Sequence, residues 1–501
     1  MRASSRPYSK SQTNVNAKDV FGFNSLTGKR EKLVPQVPGQ FSIYGCGPTV
    51  YGLTHVGNAR AALTADLVAR VLEFAGYRVK LARNITDIDD KIIKVANDTQ
   101  STFEAVVKKF TESYQNELKT LDIRAPEAEP TATQSINEIY SFIKKLIDGG
   151  AAYPADTPFG TDVYFRVHKF SEYGKLSKRK TEDLKVGVRI EPGETKEDPL
   201  DFALWKAAKP GEPSWKSPWG EGRPGWHIEC SAMIEKIFGD TLDIHMGGID
   251  LIFPHHENEI AQSESCHHKP LARYWIHNGM LTLGREKMSK SLGNIFTTHS
   301  FLEIYGPEVL RLMCLQHHYR APMDFSEESI VRAEALLERL YRGKLNAEKH
   351  VGSMGNQSTG SLFKELQNVE NSIFDDFNSA KSLGLVLSAL RVCFKENKPE
   401  LWSAWWSETK NLFEKVFIIL NLNAETALMQ IRGRKLKRLG VSDETAREID
   451  AALEQRENLR KEKKFQEADQ VRIDLESKGF LVMDGPDGSS WSVPEKQSST
   501  S

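Results

Sequence analysis

The chain has 501 residues, which at about 150 residues per domain predicts three to four domains. Its 67 Lys and Arg residues nearly balance 68 Asp and Glu, and 39% of the residues are hydrophobic, so the composition excludes a disordered tail protein or a uniformly basic nucleic-acid coat. No run of 18 apolar residues is present, so we expect no membrane span. Five cysteines in so long a chain argue against a disulfide framework and for a reducing, cytoplasmic compartment in which thiols can bind metal.

The N-terminal extension is rich in Ser and Asn and has basic residues at Arg2, Arg6, Lys10 and Lys18, with no acid before Asp19. This composition is typical of transit peptides. The segment has no amphipathic stripe, however, and short polar termini are commonly disordered. We therefore expect a disordered extension, with organellar targeting as the minor alternative.

A strand, helix and strand unit follows. Phe41–Gly45 is typical of a buried strand, Leu63, Leu67 and Val71 lie on one face of a predicted helix, and Val79–Ile85 predicts a second strand. A parallel doubly wound sheet is built from such units, and its ligands bind at the carboxyl ends of the strands. The unit predicts half of a nucleotide-binding fold.

The same pattern returns later in the chain. Thr241–Met246 alternates like a strand, Gly247-Gly248 predicts a turn, and Pro254 opens a helix. Tyr274–Leu283 predicts a hairpin around Asn278-Gly279, a strong hairpin dipeptide. The mixed segment between the two halves ends in a stretch rich in Pro, Gly and Trp, and we interpret it as an insertion. Beyond residue 300, amphipathic helical segments over 308–345, 361–397 and 401–422 predict a helical bundle, and residues 479–493 predict a closing hairpin.

The first candidate site is Thr54-His55-Val56-Gly57-Asn58, in the loop that feeds the first helix. His55 and Asn58 are three residues apart, so they project together beside backbone N–H groups and the positive end of the helix dipole. This arrangement predicts a phosphate site. The alternative is an N-capping Asn next to a surface His.

The second candidate site is Lys287-Met288-Ser289-Lys290-Ser291, followed by Leu292-Gly293-Asn294. Two lysines and two hydroxyls in a Gly-flanked loop predict a cationic clamp for charge that develops on phosphates during transfer. A solvated charged loop is the alternative. Together, at loops of one split sheet, the two motifs are far more specific than either alone.

A third group of residues has the chemistry of metal ligands. Cys46 closes the first strand, Cys230 lies in Trp226–Cys230, and His255 and Glu259 lie four apart on one face of a predicted helix. Two thiolates, an imidazole and a carboxylate predict a four-ligand zinc site. Buried cysteines and hydrogen-bonded histidines are the alternative. Pairing of His256 with Glu259, or of Glu257 with another group, also stays open.

Six strings of residues resemble those of the cysteinyl-tRNA synthetases, a family of class I aminoacyl-tRNA synthetases. They are Gly45–Tyr51 (GCGPTVY), His55–Asn58 (HVGN), Arg83–Lys91 (RNITDIDDK), Gly225–Met233 (GWHIECSAM), Phe253–Glu259 (FPHHENE) and Lys287–Asn294 (KMSKSLGN). The likeness runs from about Phe21 to Val493, and several strings are specific to the cysteine family within class I.

The resemblance implies roles for particular residues. It implies that zinc is held by Cys46, Cys230, His255 and Glu259. It implies that ATP is bound by His55, Asn58, Gly248, Asp250, Lys287 and Lys290. It implies that Thr86 and Trp226 line the amino-acid pocket. Asn58 stands where class I members usually have His, and an Asn still donates to phosphate.

The fold that the resemblance implies is α/β, with a Rossmann-type parallel-sheet catalytic domain split by an insertion. The expected divisions are a disordered extension (1–20), the first half of the catalytic domain (21–120), the connective insertion (121–225), the second half with the lysine loop (226–300), stem-contact helices (301–345), a helical bundle (346–425) and a C-terminal anticodon-binding domain (426–501).

The activity that the resemblance implies is a ligase reaction, in which L-cysteine is activated with ATP to cysteinyl-adenylate and transferred to the 3′ end of tRNA-Cys by a monomer. Mg²⁺ would accompany the ATP. Zinc–thiolate coordination would select cysteine over serine, because an apolar pocket separates near-isosteres by only about 10²-fold. An alternative enzyme joins activated cysteine to an amino sugar, and an alternative of another class is a catalytically silent binding paralogue.

Basic strips near the C-terminus are candidate tRNA contacts. The two strips are Arg432–Arg438 and Arg456–Lys464. The candidate contacts are Arg432, Arg434 and Lys435, with Trp491 to stack on an anticodon base. A charged helix surface and a Trp in the core of its hairpin are the alternatives. Ser492 stands where the family usually has Arg.

Overall fold

The fold is described from a computed structural model, which describes residues 17–180, 195–283, 286–287, 296–350, 362–485 and 488–493. Within these ranges no helix is both long and apolar enough to cross a membrane. The elements before the insertion are β1 (Phe21–Asn24), β2 (Lys29–Lys32), β3 (Gln40–Gly45), α1 (Val56–Phe74), β4 (Arg78–Arg83), α2 (Asp90–Asp98), α3 (Phe103–Thr120) and α4 (Ile136–Asp148).

The middle of the chain alternates strands and helices. Its elements are β5 (Ala152–Thr157), β6 (Gly160–Phe165), β7 (Phe202–Ala207), β8 (Trp215–Ser217), β9 (Gly220–Pro224), α5 (Trp226–Phe238), β10 (Leu242–Gly248), a π-helical turn (Ile252–His256), α6 (Glu257–His267), β11 (Ala272–Asn278), β12 (Leu281–Leu283) and β13 (Glu286–Lys287).

The rest of the chain is mainly helical. Its elements are α7 (Thr298–Ile304), α8 (Pro307–Gln316), β14 (Met323–Asp324), α9 (Glu327–His350), α10 (Val369–Phe374), α11 (Ser379–Glu396), α12 (Pro399–Leu412), α13 (Ala424–Leu439), α14 (Asp443–Lys461), α15 (Phe465–Ser477), β15 (Leu481–Gly485) and β16 (Gly488–Ser492).

A parallel sheet with the order β11-β10-β3-β4 forms the centre of the first domain. Ile43 of β3 pairs with Leu81 on one side and with Ile244 on the other, and all three are buried. The carboxyl ends of β3 and β10 therefore lie side by side, which brings together the residues that follow them. The predicted parallel-sheet fold is confirmed.

The residues between β4 and β10 include a five-stranded antiparallel sheet with the order β5-β6-β7-β9-β8. It has a hydrophobic core of its own, in which Phe142 of α4 packs with Val163 and Trp205. The predicted insertion is thus a packed unit, because its sheet buries one face against α4 and α5.

Helices α7 to α13 share one core with the parallel sheet, and this core includes Ile43 of β3 and Trp405 of α12. The last helices and the β15–β16 hairpin have a separate small core that includes Leu453, Val482 and Trp491. The closing hairpin is therefore confirmed, with Val482 opposite Trp491.

The predicted hairpin around Asn278-Gly279 is wrong. β11 ends at Asn278 as a parallel partner of β10, and β12 pairs with β14 and β13 instead. The Gly279 N–H donates to the Tyr319 carbonyl (2.8 Å), and a Cβ at Gly279 would lie 2.4 Å from the Ala321 carbonyl oxygen. Glycine is needed here for close approach of another backbone, not for a tight turn.

Two further element predictions need correction. Gly247-Gly248 does not form a turn, because β10 continues through both residues, and a Cβ at Gly247 would lie 2.6 Å from the His256 ring. The predicted helix over 308–345 is interrupted, since α8 ends at Gln316 and α9 begins at Glu327.

Candidate active site

A cleft of about 340 Å³ opens at the carboxyl ends of the parallel strands. Ligands of open parallel sheets bind at this edge. The predicted site residues that line the cleft are Cys46, His55, Asn58, Trp226, Gly248 and Asp250. The Gly45–Pro48 turn after β3 and the first turn of α1 form one wall, and the end of β10 forms another.

The first motif begins α1 with a reciprocal cap. His55 is the N-cap residue, and its Nδ1 accepts a hydrogen bond from the Gly57 N–H (3.1 Å), while Asn58 Oδ1 accepts from the His55 N–H (3.1 Å). Because Nδ1 is an acceptor, the proton of the neutral imidazole lies on Nε2. The Asn58 amide nitrogen also carries donors. The first turn of α1 has no acidic residue, so its positive end can attract an anion.

The four predicted zinc ligands converge. One ligand atom from each of Cys46, Cys230, His255 and Glu259 lies within 4.8 Å of the others. The two sulfurs are 3.9 Å apart, Cys46 Sγ is 3.7 Å from Glu259 Oε1, and His255 Nε2 is 3.0 Å from the same oxygen. A tetrahedral zinc with Zn–S bonds of about 2.3 Å separates two sulfur ligands by about 3.8 Å. Both the donor types and their spacing fit zinc.

A second set of potential ligands overlaps the first. Cys46, His245, His256 and Glu259 also satisfy the same distance limit. His256 Nε2 lies 3.4 Å from Cys46 Sγ, while its Nδ1 lies 2.8 Å from His277 Nε2. We favour the first set for zinc because it contains both thiols, and thiolate is the softer ligand.

The acid–base properties of the cluster suit a cation. A hydrogen bond with Cys46 lowers the pKa of Cys230 to about 6, against the effect of burial. Burial raises the pKa of the Cys46 thiol. Burial alone would also raise the pKa of Glu259, but His245 and His255 hold it well below its usual range. For His255, burial would lower the pKa, but Glu259 and Cys230 raise it to about 10. Cys46 and His255 therefore hold protons that a bound metal ion would displace.

Neighbouring aromatic side chains hold the ligands in place. His245 Nε2 lies 2.8 Å from Glu259 Oε2, which leaves Oε1 directed at the other ligand atoms. The Trp226 ring stacks on His255 with centroids 4.3 Å apart. Such outer contacts fix the orientation of metal ligands. The sequence reasoning missed His245, although an imidazole inside the apolar strand Leu242–Met246 was a usable signal.

The two residues expected in the amino-acid pocket differ in their exposure to the cleft. Trp226 lines the cleft and is partly exposed, whereas Thr86 is buried and its hydroxyl accepts from Asn84 Nδ2 (3.2 Å). The backbone of Thr86 bonds to the carbonyl of Pro48 (3.2 Å) and to the N–H of Val50 (3.2 Å). Thr86 is therefore tied directly to the loop that carries Cys46.

On the opposite side, Gly248 and Asp250 lie at the end of β10 and in the turn that follows it. A Cβ at Gly248 would lie 2.4 Å from Asp250 Oδ1, so the glycine allows this carboxylate to fold back over the strand end. Of the lysine motif, the backbone of Lys287 belongs to β13. Its side chain, and Lys290 entirely, lie outside the described residues.

The basic strip on α13 is mostly engaged within the protein. Arg432 forms ion pairs with Asp443 (3.3 Å) and Asp450, and Arg434 lies 3.9 Å from Glu308. Arg438 binds Glu334 through both terminal nitrogens (3.2 and 2.6 Å). These arginines connect α13 to α8, α9 and α14, whereas the alternative given above was a charged helix surface.

Trp491 is also enclosed. Its ring is 5% exposed, its Nε1 donates to Asp450 (2.8 Å), and the Lys435 ammonium lies 5.6 Å from its ring centroid. The ring belongs to the small core of the hairpin. This position matches the alternative given above, a Trp in the core of its hairpin, and a contact of Trp491 with tRNA stays a prediction. The neighbouring Ser492 pairs through its backbone with Leu481.

Comparisons with known proteins first define the class of enzyme to which the catalytic domain belongs. A family model for the class I (C) tRNA synthetase catalytic domain matches residues 32–335, and one for the cysteinyl-tRNA ligase anticodon-binding domain matches residues 442–491. The fold is similar to that of Mycobacterium tuberculosis methionyl-tRNA synthetase in complex with methionyl-adenylate (TM-score 0.55, 16% identity, 81% of this chain and 94% of that chain). It is also similar to LeuRS in its ternary complex from Agrobacterium radiobacter K84 (TM-score 0.58, 11% identity, 80% and 86%). The catalytic domain is that of a class I aminoacyl-tRNA synthetase.

Sequence relatives narrow the class further. The chain is 43% identical to the cysteine–tRNA ligase of Thermodesulfovibrio yellowstonii over 484 residues, which cover 94% of this chain and 99% of the relative. It is 45% identical to that of Nitratidesulfovibrio vulgaris over 491 residues, with the same coverage. The chain belongs to the cysteine–tRNA ligase family.

Proposed function

We propose that the protein activates L-cysteine with ATP to cysteinyl-adenylate at this cleft and transfers the cysteinyl group to the 3′ end of tRNA-Cys, with zinc selecting the amino acid. The observation that carries the proposal is the convergence of Cys46, Cys230, His255 and Glu259 beside the cleft that the first turn of α1 lines. The domain divisions expected from the sequence and the monomeric state belong to the same proposal.

Activation is an in-line attack of the cysteine carboxylate on the α-phosphorus of ATP, with pyrophosphate as the leaving group. No nucleophile from the protein is needed, so catalysis consists of positioning and of stabilising negative charge. His55 Nε2, the Asn58 amide and the N-terminus of α1 are donors for the phosphates. Lys287 and Lys290 are proposed to complete this set, Gly248 and Asp250 to hold the adenosine, and Mg²⁺ to accompany the ATP.

The zinc site explains how cysteine is distinguished from serine. Zinc held by Cys46, Cys230, His255 and Glu259 would supply a soft Lewis-acid centre at the base of the cleft, which favours sulfur over oxygen. The chain's own residues place the amino acid there: Trp226 covers one side of the site, and Thr86 braces the loop that carries Cys46. Selection then depends on bond type, not on the small difference in size.

For the tRNA, the structure favours exposed lysines over the ion-paired arginines. Lys437 on α13 and Lys461 on α14 are exposed, whereas Arg456 is buried against Asp484. We propose that such lysines contact phosphates. Arg432, Arg434, Lys435 and Trp491 would then act by holding the anticodon-binding domain in shape.

Two assays test the proposal. Cysteine-dependent exchange of pyrophosphate into ATP should occur with one zinc per chain, and serine should not replace cysteine. Charging of a tRNA with a GCA anticodon should follow. Exchange without charging would favour the amino-sugar ligase, absence of both would favour a silent paralogue, and full exchange by metal-free protein would contradict the role of zinc.

A further inference from the structure

A buried carboxyl group lies beneath the first motif. Glu117, on α3, is 4% exposed and accepts hydrogen bonds from the hydroxyl of Thr54 and from Ser113 Oγ (3.4 Å). Thr54 directly precedes His55 and is itself buried. Its Oγ1 also lies 3.2 Å from Oγ1 of Thr298, the first residue of α7. One hydroxyl thus connects α3, the first motif and α7.

Backbone contacts reinforce this junction. The Thr298 N–H donates to the Thr54 carbonyl (2.9 Å), and the Val56 N–H donates to the Phe296 carbonyl (3.3 Å). His55 and Thr297 form an antiparallel bridge between these bonds. The segment around the N-cap of α1 is therefore paired with residues 296–298.

The backbone conformation of His55 depends on the position of Thr54, the residue that precedes it. An N-cap residue must leave the helical conformation, and His55 has φ −99° and ψ 161°. The hydrogen bond between the Thr54 hydroxyl and Glu117 holds in place the residue that directly precedes this N-cap. Displacement of a substrate-positioning group by about 1 Å can cost about 10²-fold in rate.

We propose that Glu117 is a positioning residue for the activation step: by holding Thr54, it sets His55 and the first turn of α1 at the distance from residues 296–298 that the phosphates of ATP require. This inference rests on the proposed role of His55 and Asn58 in binding those phosphates. It assigns Glu117 no contact with substrate.

Paired variants test the inference. Thr54→Val and Glu117→Met remove the donor and the acceptor, whereas Thr54→Ser and Glu117→Gln keep them. The matched control is Thr64→Val, because Thr64 is a buried threonine of α1 whose hydroxyl donates to the Arg60 carbonyl of the same helix (2.9 Å). The readouts are kcat and both KM values for pyrophosphate exchange, zinc content and thermal stability.

We expect Thr54→Val and Glu117→Met each to lower kcat about tenfold, with KM for cysteine and zinc content unchanged. Thr54→Ser, Glu117→Gln and Thr64→Val should stay within about threefold of the parent kcat. Because both disruptive changes break one bond, the double variant should lose no more than the worse single variant.

Unchanged kcat in the two disruptive variants, with only a fall in thermal stability, would overturn the inference. So would multiplicative losses in the double variant, since the two residues would then act independently. An Asn58→Ala variant separates this inference from its premise. If Asn58→Ala retains full exchange, the proposed phosphate site itself fails, whereas impaired Asn58→Ala beside normal Thr54→Val overturns only the role of Glu117.

Discussion

The cleft and the C-terminal end of the chain differ in how well the residue types in the sequence predict the contacts that those residues make. At the cleft, residues as distant in sequence as Cys46 and Glu259 converge as their chemistry predicts. At the C-terminal end, the arginines of a basic strip form ion pairs with Asp450, Glu308 and Glu334 of the same chain. A motif defined by ligand type and spacing specifies a geometry. A run of basic residues does not specify a geometry, because its partners of opposite charge can be acidic residues of the same protein or phosphates of an RNA.

The largest test of this contrast removes one of the two thiols. Cys230→Ser should abolish stoichiometric zinc and lower kcat/KM for cysteine by at least about 10³-fold, because loss of even an outer partner of a metal ligand costs 10–100-fold in affinity. Metal analysis and pyrophosphate exchange measure the two effects. Cys266→Ser is the control, since Cys266 lies outside the cluster. Unchanged cysteine affinity in Cys230→Ser would contradict the metal site.

The next test concerns the cap of α1. Asn58→Ala should lower kcat of activation by about 10²-fold, because it removes a donor to developing negative charge. It also removes the acceptor for the His55 N–H. Asn58→His should remain close to the parent, since an imidazole can both accept and donate. Equal loss in the two variants, measured by pyrophosphate exchange, would show that Asn58 has a role that His cannot replace.

At the other end of the molecule, Arg438→Ala should destabilise the protein. It leaves Glu334, which is 2% exposed, without its bidentate partner, and such a loss costs about 3 kcal/mol. Denaturant unfolding measures the change. Arg332→Ala is the matched control, because the Arg332–Glu328 pair is exposed and should contribute little. If both variants have the same free energy of unfolding, the ion pair of Arg438 with Glu334 does not stabilise the protein.

The smallest expected effect sharpens the comparison most. Lys437→Ala should leave stability within about 0.5 kcal/mol, because the side chain is exposed. If Lys437 contacts a phosphate, the variant should bind tRNA-Cys more weakly and reduce the salt dependence of log K by about one. Filter binding over a range of salt concentrations checks this. A full salt slope in Lys437→Ala would place the RNA surface elsewhere.

Much of the fold was predictable because period and spacing act locally. The strand over 41–45, the helix after His55 and the closing hairpin follow from alternation, apolar periodicity and turn residues. The hairpin at Asn278-Gly279 failed for the opposite reason. Glycine is required at position 279 because the Ala321 carbonyl lies too close for a Cβ, and Ala321 is distant in sequence, so no local pattern predicts this contact.

The candidate site shows the same division. The spacing of His255 and Glu259 predicted that the two side chains lie close together, and they do, although His255 belongs to the π-helical turn before α6. The imidazole of His245 reaches Glu259 only because the end of β10 lies beside that turn. Glu117 gave no sequence signal at all, since one carboxylate in an amphipathic helix is unremarkable until the helix buries it beneath Thr54.

By itself, the sequence determined the class of chemistry: which side chains can hold a soft metal, which loop can bind phosphate, and which family unites them. Only the tertiary structure decided which partners the charged side chains have. It pairs Arg432 and Arg434 with acidic residues, and it buries Trp491 in a small core. The physical reason is that ligand chemistry belongs to the side chain itself, whereas burial and ion pairing depend on neighbours that only folding supplies.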